Sequence, residues 1–287
     1  MKKSVLLLLV FFSLQSLAAD QLLNGRNLDP VSLQQALSSV RPGDIVVLGE
    51  QHGTTAQPVF QLQLMEALRK KGLKVSLGME FFEYPGQAFV NEYRSGTLSE
   101  SDFLKNIKWG HGFPFTSYRQ QVLFPKLGEE YVVALNAPLS LTGKIAKTGL
   151  ASLTDLELSL MPSGFTQGNL GYKERFKDIM GDHLPNPAAL DNYFAAQSTW
   201  DDTMSWRANL FLSQHPEQVL VIIVGEFHVQ YGGGLPDRLK ARGANSVTKF
   251  SLVNLNGLTS EQVSQELQPS NQYGERADYI WAAQYAN

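Results

Sequence analysis

The sequence contains no cysteine, which excludes disulfide bonds, a lipid-modified cysteine and a cysteine nucleophile. It also has no Gly-x-Ser-x-Gly motif and no P-loop, so nucleophilic triad chemistry is disfavoured. An excess of basic charge is missing as well: 24 Lys and Arg residues against 27 Asp and Glu residues give a formal net charge of −3. This balance provides no positive field for nucleic acid or for an anionic membrane. No apolar run reaches the roughly 20 residues that a transmembrane helix needs.

The N-terminus has the pattern of a cleavable secretion signal. A short basic start, MKK, precedes the apolar run Val5–Leu14, and Ser16–Ala18 fits the small-residue cleavage rule. We expect residues 1–18 to be removed, with cleavage after Ala19 as the alternative. Residues 19–287 would then form a single domain, which we expect to be a soluble protein of a Gram-negative periplasm.

Two matching stretches organise the chain, and each is an apolar run that ends in Gly-Glu-x-His (GExH). They are Ile45–His52 and Val219–His228. Continuous β-branched runs of this kind predict strands buried on both faces, as in a parallel sheet. A third run, Val75–Met79, is followed by a glutamate. Because ligands bind at the carboxyl ends of strands in open α/β sheets, we predict that five ionisable side chains meet there. They are Glu50, His52, Glu80, Glu226 and His228.

The remaining pattern completes an α/β fold. Tyr131–Leu135 predicts another buried strand, and Ser246–Val253 and Tyr279–Ala283 predict two late strands. Residues 139–215 contain no convincing strand and have helical spacing. We therefore predict a central, mainly parallel β-sheet flanked by helices, with a helical insertion subdomain at about 139–215 over the carboxyl edge of the strands.

The five converging side chains suggest metal chemistry. Imidazole and carboxylate groups bind divalent ions such as Zn, Mn, Co or Fe, so His52, Glu80 and His228 are candidate metal ligands. Glu50 and Glu226 are then candidate general bases, if the protein is a hydrolase. Taken singly, each residue has a structural alternative, since a strand-end Glu is often a cap or an ion-pair partner. The whole set favours function, because burying five unpaired ionisable groups is costly.

A glycine run follows the second motif directly. Tyr231 precedes Gly232, Gly233 and Gly234, and a helix is predicted from Pro236. Glycines at a helix start let a ligand approach the backbone closely, although a flexible turn explains the same residues. The spacing is not that of a dinucleotide fingerprint.

Aromatic residues are concentrated at positions 109–118 and within the helical insertion. Such residues can sandwich a planar macrocycle with Tyr or His as axial ligand, although helix packing is the more ordinary role. The candidate cofactor-binding residues are His111, Tyr118, His228, Tyr231, Gly232 and Gly233. The adjacent acids Asp201 and Asp202 should not both lie in the core, so we predict that one faces the site and the other faces solvent.

In combination these motifs resemble the ChaN family of haem-binding uptake proteins. The order GExH, GMEFF, ALNAP, AAQSTWDDTM and VGEFHVQYGGGLPDRL carries the resemblance over Ile45–Leu239. It implies a periplasmic haem-binding dimer that holds two haems face to face and serves iron acquisition. The wider superfamily includes Tiki proteases, TraB and erythromycin esterases, and in its hydrolytic branches the positions that match His52, Glu80 and His228 support metal-dependent or base-assisted hydrolysis.

The sequence is compatible with three functions. The first is haem or iron binding for uptake, with His228 or Tyr231 chosen as ligands from their position. The second is a metal-dependent hydrolase of esters or peptides that uses a divalent transition metal. The third is an interaction protein with a vestigial site. ChaN proteins are commonly lipoproteins, and the absence of cysteine favours a form without a lipid anchor.

Overall fold

The structure, a computed structural model, describes residues 20–285 apart from the side chain of Asp182. The predicted signal peptide, residues 1–18, lies outside the described residues. In the part of the chain that is described, no helix combines the length and apolar character needed to cross a membrane.

Within residues 20–285, seven strands form one sheet with the spatial order β1-β7-β6-β2-β5-β3-β4. Every neighbouring pair is parallel except β1 with β7. The mainly parallel α/β sheet is therefore confirmed. The strands are β1 (Gln21–Asn24), β2 (Ile45–Glu50), β3 (Lys74–Glu83), β4 (Val132–Asn136), β5 (Gln218–Gly225), β6 (Val247–Asn254) and β7 (Tyr279–Ala283).

Helices cover both faces of this sheet. The α-helices are α1 (Leu33–Ala36), α2 (Gln57–Lys70), α3 (Gln87–Ser95), α4 (Glu100–Asn106), α5 (Arg119–Leu123), α6 (Leu139–Thr148), α7 (Asp155–Leu158), α8 (Leu170–Met180), α9 (Leu190–Gln214), α10 (Leu235–Ala241) and α11 (Ser260–Leu267). Short 3₁₀ helices span Tyr84–Gly86, Phe115–Ser117, Leu150–Ser152, Gly181–His183, Pro187–Ala189 and Glu226–His228. All elements from α6 to α9 lie between β4 and β5, and α9 packs against α6, α10 and β4.

The central strand β2 shows why the apolar runs form the middle of the sheet. Val46 and Leu48 enter the core on one face, whereas Ile45 and Val47 enter the core on the other. A strand covered on both faces needs an unbroken apolar sequence, which is what the chain provides.

Two features differ from the strands expected from sequence. Strand β1 was not predicted, because four residues at an antiparallel edge leave little periodic signal. Strand β3 continues past Glu80 to Glu83, where it pairs with Asn136 across an irregularity that begins after Met79. Pairing with a neighbour, rather than hydrophobic pattern, sets this end of the strand.

Candidate functional site

The two GExH motifs lie side by side at the carboxyl edge of the sheet. Strand β5 runs between β2 and β3, and Glu50 stands opposite Gly225 in the β2–β5 register. On the other side, Met79 pairs with Ile223, which brings Glu80 level with the end of β5. Sheet topology therefore assembles residues that are more than 140 positions apart in sequence.

The glycine of each motif makes room for a side chain of the other strands. A Cβ on Gly225 would lie 2.9 Å from His52 Nε2, and a Cβ on Gly49 would lie 2.4 Å from a carboxylate oxygen of Glu226. Neither glycine has a positive φ, so close approach, and not backbone conformation, requires them. The two motifs are thus fitted to each other.

Glu50 is the buried anchor of the first motif. Its Oε1 accepts hydrogen bonds from the Tyr118 hydroxyl and lies 3.0 Å from His52 Nδ1. Its Oε2 accepts a hydrogen bond from the Gln61 amide. Burial next to the charge of Glu50 raises the pKa of Tyr118, so this phenol stays protonated as a donor. The carboxylate holds the His52 ring in one orientation.

Glu80 lies between the two histidines. Its Oε1 is 3.3 Å from His228 Nε2, its Oε2 is 3.8 Å from His52 Nε2, and Oε2 also accepts a 2.6 Å hydrogen bond from the Gly225 N–H. Burial would raise the pKa of Glu80, but the charges of His228 and His52 outweigh it and lower that pKa to about 2. Glu80 is therefore a carboxylate flanked by two imidazoles.

A second carboxylate, Asp201 of α9, holds His228 from the protein interior. Its Oδ1 is 2.7 Å from His228 Nδ1, and its Oδ2 accepts a 2.7 Å hydrogen bond from the Tyr172 hydroxyl. The Gln197 amide donates to that hydroxyl at 3.0 Å. Burial lowers the pKa of His228, but Asp201 and Glu80 together raise it to about 10. This imidazole is accordingly a buried cation between two anions.

Glu226 is separated from this group, although it belongs to the same motif as His228. Its Oε1 accepts hydrogen bonds from Ser251 at 2.6 Å and from Arg276 Nε at 3.0 Å. The other oxygen, Oε2, is buried and has no hydrogen-bond partner. Burial raises the pKa of Glu226 to about 7 despite the nearby guanidinium of Arg276. Four of the five predicted side chains thus meet, and Glu226 lies apart from them.

The expectation for the paired acids is half wrong. Asp201 faces the site as predicted, but Asp202 does not face solvent. It is 2% exposed and forms a bidentate ion pair with Arg242 of 2.6 and 2.7 Å. Two adjacent acids can both be buried when each has its own cationic partner, because the ion pair offsets part of the desolvation cost.

A cleft of about 570 Å³ opens onto His52 and Glu80. Its other lining residues are Phe81, Glu83, Ile107, Lys108, His111, Phe113, Asn136, Ala137, Leu139, Ser140 and Trp200. The His52 side chain is partly exposed in this cleft, with 36% of its surface accessible. Burial lowers the pKa of His52, but the hydrogen bond to Glu50 and the charge of Glu80 reverse that effect and raise it.

His111 lies on the aromatic wall of this cleft. Its ring is 4.7 Å from Trp109 edge-on and 5.7 Å from Phe113 with the planes 19° apart. Desolvation by these surroundings lowers the pKa of His111, which favours the neutral imidazole. His111 differs in this respect from the ion-paired His52 and His228.

The remaining candidate cofactor residues lie elsewhere. Tyr118 is fully buried beneath Glu50. Tyr231 lines a separate groove with Arg175 and Arg276, and the Gly232 carbonyl accepts a hydrogen bond from Arg175. The glycine run serves packing: a Cβ on Gly233 would lie 2.6 Å from Tyr172 Cβ. Tyr231, Gly232 and Gly233 therefore do not line the cleft that contains His52.

The metal-ligand hypothesis finds no ready-made site. Among residues 20–285, no group of three or more His, Cys, Asp or Glu side chains is arranged to hold a metal ion. His52, Glu80 and His228 are neighbours, and both ring nitrogens of His228 lie next to carboxylates, at 3.3 Å from Glu80 and 2.7 Å from Asp201. Glu80 is the ion-pair partner of both histidines.

Comparison with known proteins gives the family. The family described as "Haem-binding uptake, Tiki superfamily, ChaN" matches residues 36–239, and the chain belongs to this family. The resemblance drawn from the motifs is therefore confirmed. No curated protein matches the chain at a significant level.

Two solved structures show the same fold. One is ChaN of Campylobacter jejuni with cofacial haem, at a TM-score of 0.66 and 16% identity, covering 92% of this chain and 96% of that one. The other is a mutant erythromycin esterase, EreC, in its open conformation, at a TM-score of 0.51 and 13% identity, covering 93% and 98%. At such identities the likeness establishes the fold alone.

Sequence reasoning missed the residues that orient the two histidines. Gln61, Gln197 and Tyr172 are not among the site residues predicted from the sequence. One signal was available: Gln197 and Asp201 are four positions apart and share a helix face. No local pattern identifies Gln61, because its partner Glu50 lies on a different element.

Proposed function

We propose that this protein binds haem in the His52–Glu80 cleft and serves haem or iron uptake in the periplasm. The observation that carries the proposal is a largely apolar cleft with the His111 imidazole on its aromatic wall. Membership of the haem-binding family supports the ligand class. Export through the predicted signal and assembly as a homodimer are parts of the same proposal, and they rest on the sequence pattern and on the family resemblance.

The side chains of the cleft fit a flat, mostly apolar macrocycle with two carboxylates. Phe81, Ile107, Phe113, Leu139 and Trp200 provide apolar surface. Lys108 provides a cationic group. When bound, haem would supply an iron centre whose ligand affinity and potential depend on the axial ligand.

His111 is the best placed axial ligand among the candidates. An axial ligand needs an accessible donor atom, and the His111 imidazole is exposed on the cleft wall. His228 is buried and protonated between Asp201 and Glu80, and Tyr118 is committed to Glu50. Tyr231 lines a different groove. We therefore favour His111 over the other three.

A haemin titration followed by visible spectroscopy tests the proposal. We expect a shifted Soret band at a defined stoichiometry, and a loss of affinity of at least about tenfold in His111→Ala. His183→Ala is the matched control, because His183 is exposed and does not line the cleft. Equal binding by His111→Ala and the wild type would refute the ligand assignment. No change in the haemin spectrum with the wild-type protein would refute haem binding.

The Glu50–His52 pair favours a second candidate function, base-assisted hydrolysis. A carboxylate that orients a half-open imidazole in a cleft is the arrangement of a general base. Under this function Glu226 has no direct role, because its carboxylate contacts Ser251 and Arg276.

An ester-hydrolysis assay separates the two functions. A hydrolase should lose activity in His52→Ala by about 100-fold or more and keep it in Glu226→Gln. Its rate should rise with pH as His52 loses its proton, since a general base acts in the neutral form. Activity that is unaffected by His52→Ala would exclude this mechanism.

A further inference from the structure

A groove of about 620 Å³ shares no lining residue with the His52–Glu80 cleft. It lies between α8, the turn that follows His228, and the segment that joins α11 to β7. We call it the arginine groove, and its charged and aromatic lining residues are Arg175, Arg276, Asp178, Glu266, Tyr231 and Tyr273. Neither haem binding nor hydrolysis in the cleft uses this groove.

Arg175 is a buried cation without a carboxylate partner. It is 4% exposed, and among the described residues no carboxylate oxygen lies within 4.0 Å of its guanidinium. The guanidinium has five N–H groups, but it donates only two hydrogen bonds, to the Gly232 carbonyl at 3.1 Å and to the Phe227 carbonyl at 3.3 Å. Its Nε is buried and has no acceptor in the part of the chain that is described. A buried charge without a counter-charge is costly, so a bound anion would stabilise it.

The acids near the groove leave Arg175 uncompensated. The oxygens of Asp201, whose charge also reaches Arg175, are bound by other residues. Arg276, by contrast, has two carboxylate partners, Glu226 at 3.0 Å and Glu266 at 2.5 Å. The arginine groove therefore contains one guanidinium that is paired and one that is not.

Tyr231 has a strained backbone between the two arginines. Its φ of 59° lies in the left-handed region, which is unusual for a bulky side chain, and Gly232 and Gly233 follow with φ of 78° and 81°. The guanidinium carbons of Arg175 and Arg276 each lie 5.8 Å from the centroid of the Tyr231 ring. The strained residue thus holds an aromatic ring against both arginines, which a third glycine would not provide.

The surroundings favour a ligand with one negative charge and an apolar body. One unpaired cation needs one anion, and the carboxylates of Asp178 and Glu266 in the same groove would repel a dianion such as phosphate. Tyr231 and Tyr273, with ring centroids 6.0 Å apart, provide aromatic surface in the groove. A carboxylate matches the planar, two-pronged donor geometry of Arg175.

We propose that the arginine groove is a second binding site, for a small organic monocarboxylate, in which Arg175 binds the carboxylate. The rings of Tyr231 and Tyr273 contact the apolar part of the ligand. This site is independent of haem binding and of hydrolysis in the cleft. It also gives a role to Tyr231, which does not line the cleft.

Isothermal titration calorimetry with benzoate tests the proposal, with benzamide as the uncharged analogue and inorganic phosphate as the competing anion. Wild type should bind benzoate about tenfold more tightly than benzamide, because hydrogen bonds to charged groups are the stronger ones, and more tightly than phosphate. Arg175→Gln should lose this preference. Lys177→Gln is the matched control and should keep it, because Lys177 is exposed on the same helix and does not line the groove.

A second variant separates ligand binding from the structural role of Arg175, whose loss also removes two hydrogen bonds to the turn after β5. Tyr231→Gly suits the left-handed backbone, so the variant should unfold cooperatively in urea as the wild type does. Its affinity for benzoate should fall at least about threefold, because the aromatic surface is removed. An unchanged affinity would show that the ring does not contact the ligand.

Equal affinities of the wild type for benzoate and benzamide, or a preference that survives Arg175→Gln, would overturn the proposal. Tighter binding of phosphate than of benzoate would also overturn it. Loss of benzoate binding in Lys108→Gln would place the carboxylate in the His52–Glu80 cleft instead. The haemin titration is a separate measurement, so the proposed function and this second site can fail independently.

Discussion

The two GExH turns have the same sequence pattern and opposite internal arrangements. In the first, Glu50 lies 3.0 Å from the histidine of its own motif, and His52 is half-open to the cleft. In the second, Glu226 turns to Ser251 and Arg276, while His228 takes its carboxylate from α9 and is 6% exposed. The same motif therefore occurs with one partly exposed pair, Glu50–His52 (the open dyad), and with one buried pair, Asp201–His228 (the sealed dyad).

The difference arises from what each turn packs against. At the end of β2, Tyr118 and Gln61 donate hydrogen bonds to Glu50 and keep its carboxylate beside His52. The turn at the end of β5 packs against α9. Asp201 of that helix, and not Glu226 of the motif, pairs with His228. A short motif can therefore deliver reactive groups to a sheet edge without fixing how they pair.

Removing the carboxylate of the sealed dyad should have the largest effect. Asp201→Ala leaves a buried imidazolium with one anionic neighbour and the Tyr172 hydroxyl without an acceptor, so we expect a loss of about 3 kcal/mol in the free energy of unfolding. Urea denaturation measures it. Asp191→Ala on the same helix is the control, because its ion pair with Lys173 is largely exposed and should contribute about 1 kcal/mol or less. Similar losses in both variants would contradict the sealed dyad.

The free energy of unfolding should depend on pH through the buried carboxyl group of Glu226. Its pKa is raised from 4.5 to about 7 in the folded protein, so the folded state binds this proton more tightly than the unfolded chain does. The resulting stabilisation is complete below about pH 4.5 and is lost as the pH rises through about 7, by at most about 3 kcal/mol. Glu226→Gln should flatten the stability curve in this window, whereas Glu261→Gln on the exposed face of α11 should not. An unchanged slope in Glu226→Gln would refute the raised pKa.

Removing the tyrosine hydroxyls that donate to Glu50 and Asp201 should give the smallest change in the free energy of unfolding. Tyr118→Phe leaves Glu50 with Gln61 and His52 as partners, whereas Tyr172→Phe leaves Asp201 with His228 alone. We expect losses of about 1 and about 2 kcal/mol respectively, since hydrogen bonds to charged groups are the stronger ones. Thermal and urea unfolding of the two variants in parallel would measure the order. The reverse order would mean that the first dyad is the more tightly held.

Much of the fold was predictable from local pattern. The runs at Ile45 and Val219 are apolar at every position and rich in β-branched residues, as is typical of a strand covered on both faces, so β2 and β5 were located closely. Residues such as Gln21 in β1 have no such pattern, because an edge strand is specified by its partner. Family membership was also predictable, since the order of several motifs is more specific than any one of them.

The site was only partly predictable. The convergence of Glu50, His52, Glu80 and His228 followed from strand ends meeting at one sheet edge. The position of Glu226 did not follow, because its pairing with Arg276 depends on a residue fifty positions away. Nor did the opposite pKa shifts of His111 and His228, which depend on the neighbours of each ring.

Periodicity and composition were sufficient to specify a parallel sheet and the edge at which its reactive groups gather, since burial on two faces leaves a direct mark on each strand. The identity of each group's partner was settled by three-dimensional contacts. Asp201 reaches His228, and Arg276 reaches Glu226, only because α9 and the last part of the chain pack against the end of β5. Pairing and desolvation act over a few ångströms in space, and the linear sequence carries little information about such distances.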